Sequence, residues 1–141
     1  MKRTKLKIKL EKPPIWDSVC TAFEINPKNV CFTYGDTIYN PNNFKMSPEL
    51  IEHEKLHMEQ QNHNEVDAAL WWGKYLRDPK FRLDQEARAY GKQLKYVKKI
   101  IKDRNALAVY NRKLAVSLSG PLYGNVIDLA EAMLLIKHYS Q

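Results

Sequence analysis

The sequence predicts a helix-dominated α+β domain over residues 1–141, with a small β-sheet near its N-terminus. Three observations predict it. Short runs at 6–10 and 30–40 have the period-two or β-rich pattern of strands, whereas from Ser47 onward apolar residues recur every three or four positions. Two dipeptides, Ser47-Pro48 and Asp78-Pro79, join a capping side chain to a proline suited to the first helical position. The chain is 141 residues long, and a chain of that size buries about 68–70% of its unfolded surface, enough for one core without disulfide staples.

Taken in order, Leu6, Ile8 and Leu10 alternate with Lys5, Lys7 and Lys9, which predicts a half-buried edge strand. Pro13-Pro14 opens a short helix with Ile15, Trp16, Val19, Cys20 and Phe23 on one side, stopping near Asn26-Pro27. VCFTYGDTIYN (30–40) reads as a hairpin about Gly35-Asp36, closed by Asn40-Pro41-Asn42-Asn43. Helices are expected from Ser47 to about Asn62, from Glu65 to Leu76, from Asp78 to about Lys102, and from Ala106 to Leu118. Ser119-Gly120-Pro121 breaks the pattern. A last amphipathic helix follows Gly124-Asn125, through Val126, Leu129, Ala130, Met133, Leu134 and Lys137. Trp71, Trp72, Tyr75 and Leu76 read as core beside the Ser47 helix, and Met46, Met58 and Met133 as core or boundary residues.

With 44% hydrophobic and 28% charged residues, the composition excludes a disordered chain, a collagen-like repeat and a disulfide scaffold. No apolar run approaches the ~20 residues of a membrane span, and the opening MKRTKLKIKL lacks the apolar stretch of a secretory signal. Cys20 and Cys31 form no CxxC and read as small buried hydrophobes in a reducing compartment. The net charge of +7 favours anionic partners. Lys92, Lys95, Lys98, Lys99 and Lys102, with Arg104, form a basic run on the exposed side of the long helix. It reads as a solvated face, or as a patch for a weakly held anionic partner such as nucleic acid or an acidic protein.

The chemistry concentrates at His53-Glu54-Lys55-Leu56-His57, an HExxH motif inside a helix. At ~100° per residue, His57 lies ~40° round from His53 and one turn along, so both imidazoles can meet one Zn²⁺ at about 2.0–2.1 Å. Glu54 falls beside them, within reach of water rather than the ion.

Two residues compete to be the third ligand. His63 completes the spacing HExxHxxGxxH, but Gln60 stands where the glycine would turn the chain back. On a continuing helix His63 would sit ~120° away from His57 and ~9 Å further along. Glu86 lies within the apolar stripe Leu83, Ala87, Tyr90, Leu94, Val97 and Ile101 of the long helix. A buried carboxylate there demands a cation or strong hydrogen bonds, and His₂Glu is a known catalytic zinc set. The geometry favours Glu86, its alternative role being a salt bridge to a buried Arg or Lys.

An HExxH with a glutamate on a second helix resembles the gluzincin branch of zinc metallopeptidases. The segments TYGDTIYNP (33–41), HEKLHMEQQ (53–61), DAALWWGKYLRDPKFRLDQEARAY (67–90) and LSGPLYGN (118–125) resemble a family of small phage-encoded zincin-like proteins. The resemblance runs from about residue 15 to the end, and HEKLH and FRLDQEARAY are its most specific blocks. It implies a minimal zincin-like fold, zinc on His53, His57 and Glu86, and Glu54 as general base. It also implies a location in the host cytoplasm or on the virion.

The expected activity is zinc-dependent hydrolysis of a peptide or protein, Glu54 taking the proton of the attacking water and returning it to the leaving amine. An oxyanion donor is needed. Tyr90, one turn beyond Glu86, is the first candidate, with Tyr39 and Tyr123 as alternatives. Asp36, Glu59 and Asp84 are candidate partners for the second ring nitrogen of each histidine. The hairpin strand Asp36–Asn40 is expected to pair with an extended peptide. The competing reading is a non-catalytic zinc-stabilised module, a phage structural or nucleic-acid-binding protein, with His63 as a fourth ligand closing the site.

Overall fold

The computed structural model describes residues 6–23 and 30–141. Its elements are β1 (Lys7–Lys9), α1 (Trp16–Ala22), β2 (Phe32–Tyr34), β3 (Thr37–Tyr39), α2 (Pro48–Gln60), α3 (Glu65–Arg77), α4 (Pro79–Ile100), α5 (Arg104–Leu118), a 3-10 turn (Pro121–Tyr123) and α6 (Leu129–Tyr139). This is a helix-dominated α+β fold with one small sheet, as the patterning predicts.

The strand order is β1-β3-β2, with β2 antiparallel and β1 parallel to β3. The hairpin turns at Gly35, whose φ of +65° is open to glycine at little cost. A Cβ there would also press to 3.2 Å from the Asn64 backbone. Gln61 ties this hairpin to the end of α2. Its Oε1 accepts from Gly35 N–H at 2.6 Å and its Nε2 donates to the Thr33 carbonyl at 3.0 Å.

The helix starts follow their caps. Ser47 accepts from Leu50 N–H ahead of Pro48, Asn64 from Asp67 N–H, Asp78 from Lys80 and Phe81 N–H, and Asp103 from Ala106 N–H. Helix α4 is the organising element, packed against α2, α3, α5 and α6. Gly91 permits close approach to α6, since a Cβ there would run into Tyr139. Two apolar clusters flank α4. Leu83, Ala87 and Leu94 join Leu114, Leu118 and Ile136 on one side, while Val19, Trp71, Trp72 and Tyr75 form the other.

Four expectations need correction. Strand β1 lies at the edge, but its apolar side chains are not half-buried: Leu6, Ile8 and Leu10 are 37%, 42% and 58% exposed. Alternation fixes which face is apolar without supplying anything to cover it. Cys20 is exposed rather than buried, because α1 turns only Val19 fully inward. Helix α6 begins at Leu129, capped by Asp128, so Val126 precedes it. Its inward residues are Ala132 and Ile136, while Ala130 and Leu134 face solvent. Finally, β3 is the central strand, already paired on both edges, and cannot take a peptide by strand addition. Lys5 and the stop expected near Asn26-Pro27 lie outside the described residues, α1 ending at Ala22.

Candidate metal centre

Helix α2 turns His53, Glu54, His57 and Met58 inward, and α4 turns Glu86 toward them. Glu86 Oε1 lies 2.6 Å from His57 Nε2 and 3.1 Å from His53 Nε2. One ligand atom from each of the three buried residues falls within 4.8 Å of the others. The HExxH helix and the distal glutamate thus form the gluzincin-type arrangement that the sequence resembles.

The far side of each ring is held by an amide. His57 Nδ1 is 2.8 Å from Gln60 Oε1, and Gln60 Nε2 donates to the Gln85 carbonyl at 3.1 Å. A carbonyl can only accept, so it fixes the amide with Oε1 toward the ring. His57 Nδ1 must therefore carry a proton, and its Nε2 lone pair faces the carboxylate oxygen. Gln93 Oε1 is 2.9 Å from His53 Nδ1, and Gln93 Nε2 donates to the Tyr110 hydroxyl at 2.7 Å. A neutral nitrogen lone pair aimed at an anionic oxygen requires a cation or a proton between them. This donor set, borderline nitrogens with one hard oxygen, fits Zn²⁺.

Without metal the proton takes that place. Burial alone would lower His57, but the charge of Glu86 and its hydrogen bond, with a further push from Glu54, raise the imidazole to about 9. Burial alone would raise Glu86, but the charge of His57 and hydrogen bonds from both imidazoles hold it well below the usual carboxylate range. Its other oxygen, Oε2, accepts from Tyr75 at 2.8 Å and from Tyr123 at 3.1 Å. Only Oε1 therefore faces the imidazoles.

Glu54 is buried beside this cluster. Thr33 donates to its carbonyl at 3.2 Å and to Oε2 at 3.3 Å, and the Cys31 thiol lies 3.4 Å from Oε1. Burial, then the charge of Glu54, pushes the Cys31 thiol well up, so it stays a donor. Tyr90 packs edge-on to His53 with ring centroids 4.7 Å apart. Burial, then the charge of Glu86, raises its phenol, and it stays protonated. Glu54, Tyr90 and the three ligand candidates line one cavity of about 420 Å³ between α1, β2, α2, α3, α4 and the 3-10 turn.

Other sequence candidates fall elsewhere. His63 is exposed beyond α2, where Asn62 and His63 both take left-handed φ, +52° and +54°. Tyr39 is buried in β3 and does not line the cavity. Asp36, Glu59 and Asp84 bind Lys7, Lys92 and Arg88 rather than the imidazoles. The amides of Gln60 and Gln93 and the phenol of Tyr75 take roles the sequence reading did not assign. Their one sequence signal is helical phase, Gln60 lying three residues after His57 and Gln93 seven after Glu86.

No protein-family model, curated protein or solved structure matches the chain.

Proposed function

We propose that the chain is a zinc-dependent hydrolase of amide or peptide bonds, with His53, His57 and Glu86 holding the ion. The observation that carries this is Glu86 Oε1 between two Nε2 atoms, in a cavity whose wall includes Glu54. A bound zinc would supply a Lewis acid that acidifies water and polarises a carbonyl. Glu54 takes the proton of the attacking water and delivers it to the leaving nitrogen. Its carboxylate is held for this by Thr33 and Cys31, both on the hairpin. Tyr90 is the preferred donor to the developing oxyanion, because the hydroxyls of Tyr75 and Tyr123 are committed to Glu86.

The structural-module reading draws less support. His63 is exposed and outside the cluster, so it does not supply a closing fourth ligand. The basic run is broken up. Lys92 pairs with Glu52 and Glu59, Lys98 donates to Ser140, and Lys102 to the Lys98 carbonyl. Lys95 and Lys99 stay exposed for a weak anionic partner. Among the described residues, no helix is long and apolar enough to cross a membrane.

The test compares wild type with Glu54→Gln at equal zinc content. Hydrolysis of a mixture of blocked amino-acid amides and short peptides should fall by about 10²–10⁴-fold, with zinc content and melting temperature unchanged. Equal hydrolysis by both proteins would remove Glu54 as the base.

A further inference from the structure

The described walls of the cavity are mostly apolar and aromatic. Apart from the ligand cluster and Glu54, it is dominated by side chains such as Val19, Phe32, Leu50, Trp71, Trp72 and Leu122. No described lining residue is a lysine or arginine. The nearby guanidinium of Arg82 is engaged by the carbonyls of Tyr75, Leu76 and Leu122. A substrate carboxylate would therefore find no lysine or arginine to pair with among the described wall residues. The volume, about 420 Å³, lies at the small end of the ~300–1,000 Å³ typical of small-molecule pockets.

The sheet offers no rail for a polypeptide either. Strand β3 is paired on both sides, and β1 contributes no residue to the cavity. On β2 the Thr33 carbonyl is taken by Gln61 Nε2 at 3.0 Å and by Trp72 Nε1 at 2.9 Å. An extended backbone passing through would leave most of its amides facing apolar rings.

We infer that the cavity takes a small, uncharged amide bearing one large apolar side chain, and not a polypeptide laid along a strand. This rests on the hydrolase reading above. In the reaction the water oxygen joins the acyl carbon and the C–N bond breaks with its electron pair on nitrogen. The proton gathered by Glu54 ends on that nitrogen, giving a carboxylic acid and an amine or ammonia.

The experiment uses the zinc-loaded full chain and three probes: N-acetylphenylalaninamide, N-acetylglutamic α-amide and unfolded casein. Ammonia release and fragment masses report turnover. Quenching of tryptophan fluorescence in zinc-loaded Glu54→Gln reports binding without turnover. The phenylalanine amide should be cleaved at least about ten-fold more efficiently than the glutamic amide, with casein uncut. Leu122→Arg, at a position 42% exposed, should narrow that preference by about ten-fold through its added charge, without change in zinc content. Internal cleavage of casein, with no binding of the phenylalanine amide, would overturn this inference and leave the hydrolase reading standing. Binding of that amide with no turnover of any probe would overturn the hydrolase reading and keep the ligand class. Equal binding of both amides would overturn the preference for an uncharged guest.

Discussion

The Tyr75 hydroxyl donates to Glu86 Oε2 at 2.8 Å, across the gap between α3 and α4. With Tyr123 on the same oxygen, it presents the carboxylate to the imidazoles through Oε1 alone. Burial, then the charge of Glu86, raises both phenols well above their ordinary value, so they remain donors at any working pH.

Tyr75→Phe should therefore weaken the metal-free protein. A hydrogen bond to a buried charge is worth about 1.5–3 kcal/mol, and urea unfolding in the presence of a chelator should show a loss of that order. Unchanged stability would mean that Tyr123 alone suffices.

Zinc content separates the two third-ligand candidates. Wild type and His63→Ala should each hold about one ion per chain, and Glu86→Ala less than about 0.1 after dialysis at micromolar protein. Zinc lost from His63→Ala and kept in Glu86→Ala would reverse the assignment.

Gln60→Ala removes the acceptor that fixes the His57 ring while sparing every ligand atom. Partners of this kind are worth about 10–100-fold in metal affinity. Competition with a chromophoric chelator should find a loss in that range. An unaltered affinity would show that Trp71, tilted against the same ring at 5.3 Å, orients it unaided.

The pH dependence should change sign with metal. In the metal-free chain His57 is raised to about 9, above an unfolded value of about 6.5. Its stabilisation is complete below the unfolded value and lost as pH climbs through about 9. Glu86 is lowered, so its contribution is present above the ordinary carboxylate pKa and lost as pH falls through the folded one. Zinc needs His57 neutral, so its affinity should rise with pH toward about 9. Melts at pH 6 and 9.5 should fall with pH under chelator, while the stabilisation added by zinc grows. Parallel curves would refute the proton-for-metal exchange.

Much of this fold could be read locally. Ser47-Pro48 and Asp78-Pro79 fix helix starts within four residues of chain, because capping needs no tertiary context. Glu86 was legible because an acid inside an apolar stripe demands a partner wherever the helix packs. His63 was separable from it because a third ligand so soon after His57 needs a chain reversal for which Gln60 provides no glycine. The roles of Gln60, Gln93 and Tyr75 at the site are not legible, because neutral side chains on a helix face announce nothing about whom they meet. The phase of α6 slipped because Leu134, 69% exposed, looks like core to any count of apolar residues. What distinguishes it is the position of α4, and that is a long-range fact.

Gln61 is fully buried and holds both Gly35 and Thr33. Its amide acts as a rivet, making the hairpin and the HExxH helix one jaw. Glu54 and the two side chains that grip it cannot drift apart while that rivet holds. Any widening of the chamber to admit a bulkier guest must then come from α1, which meets it through the apolar packing of Val19, because the 3-10 turn is itself tied to α4 by Arg82 on the Leu122 carbonyl and Tyr123 on Glu86.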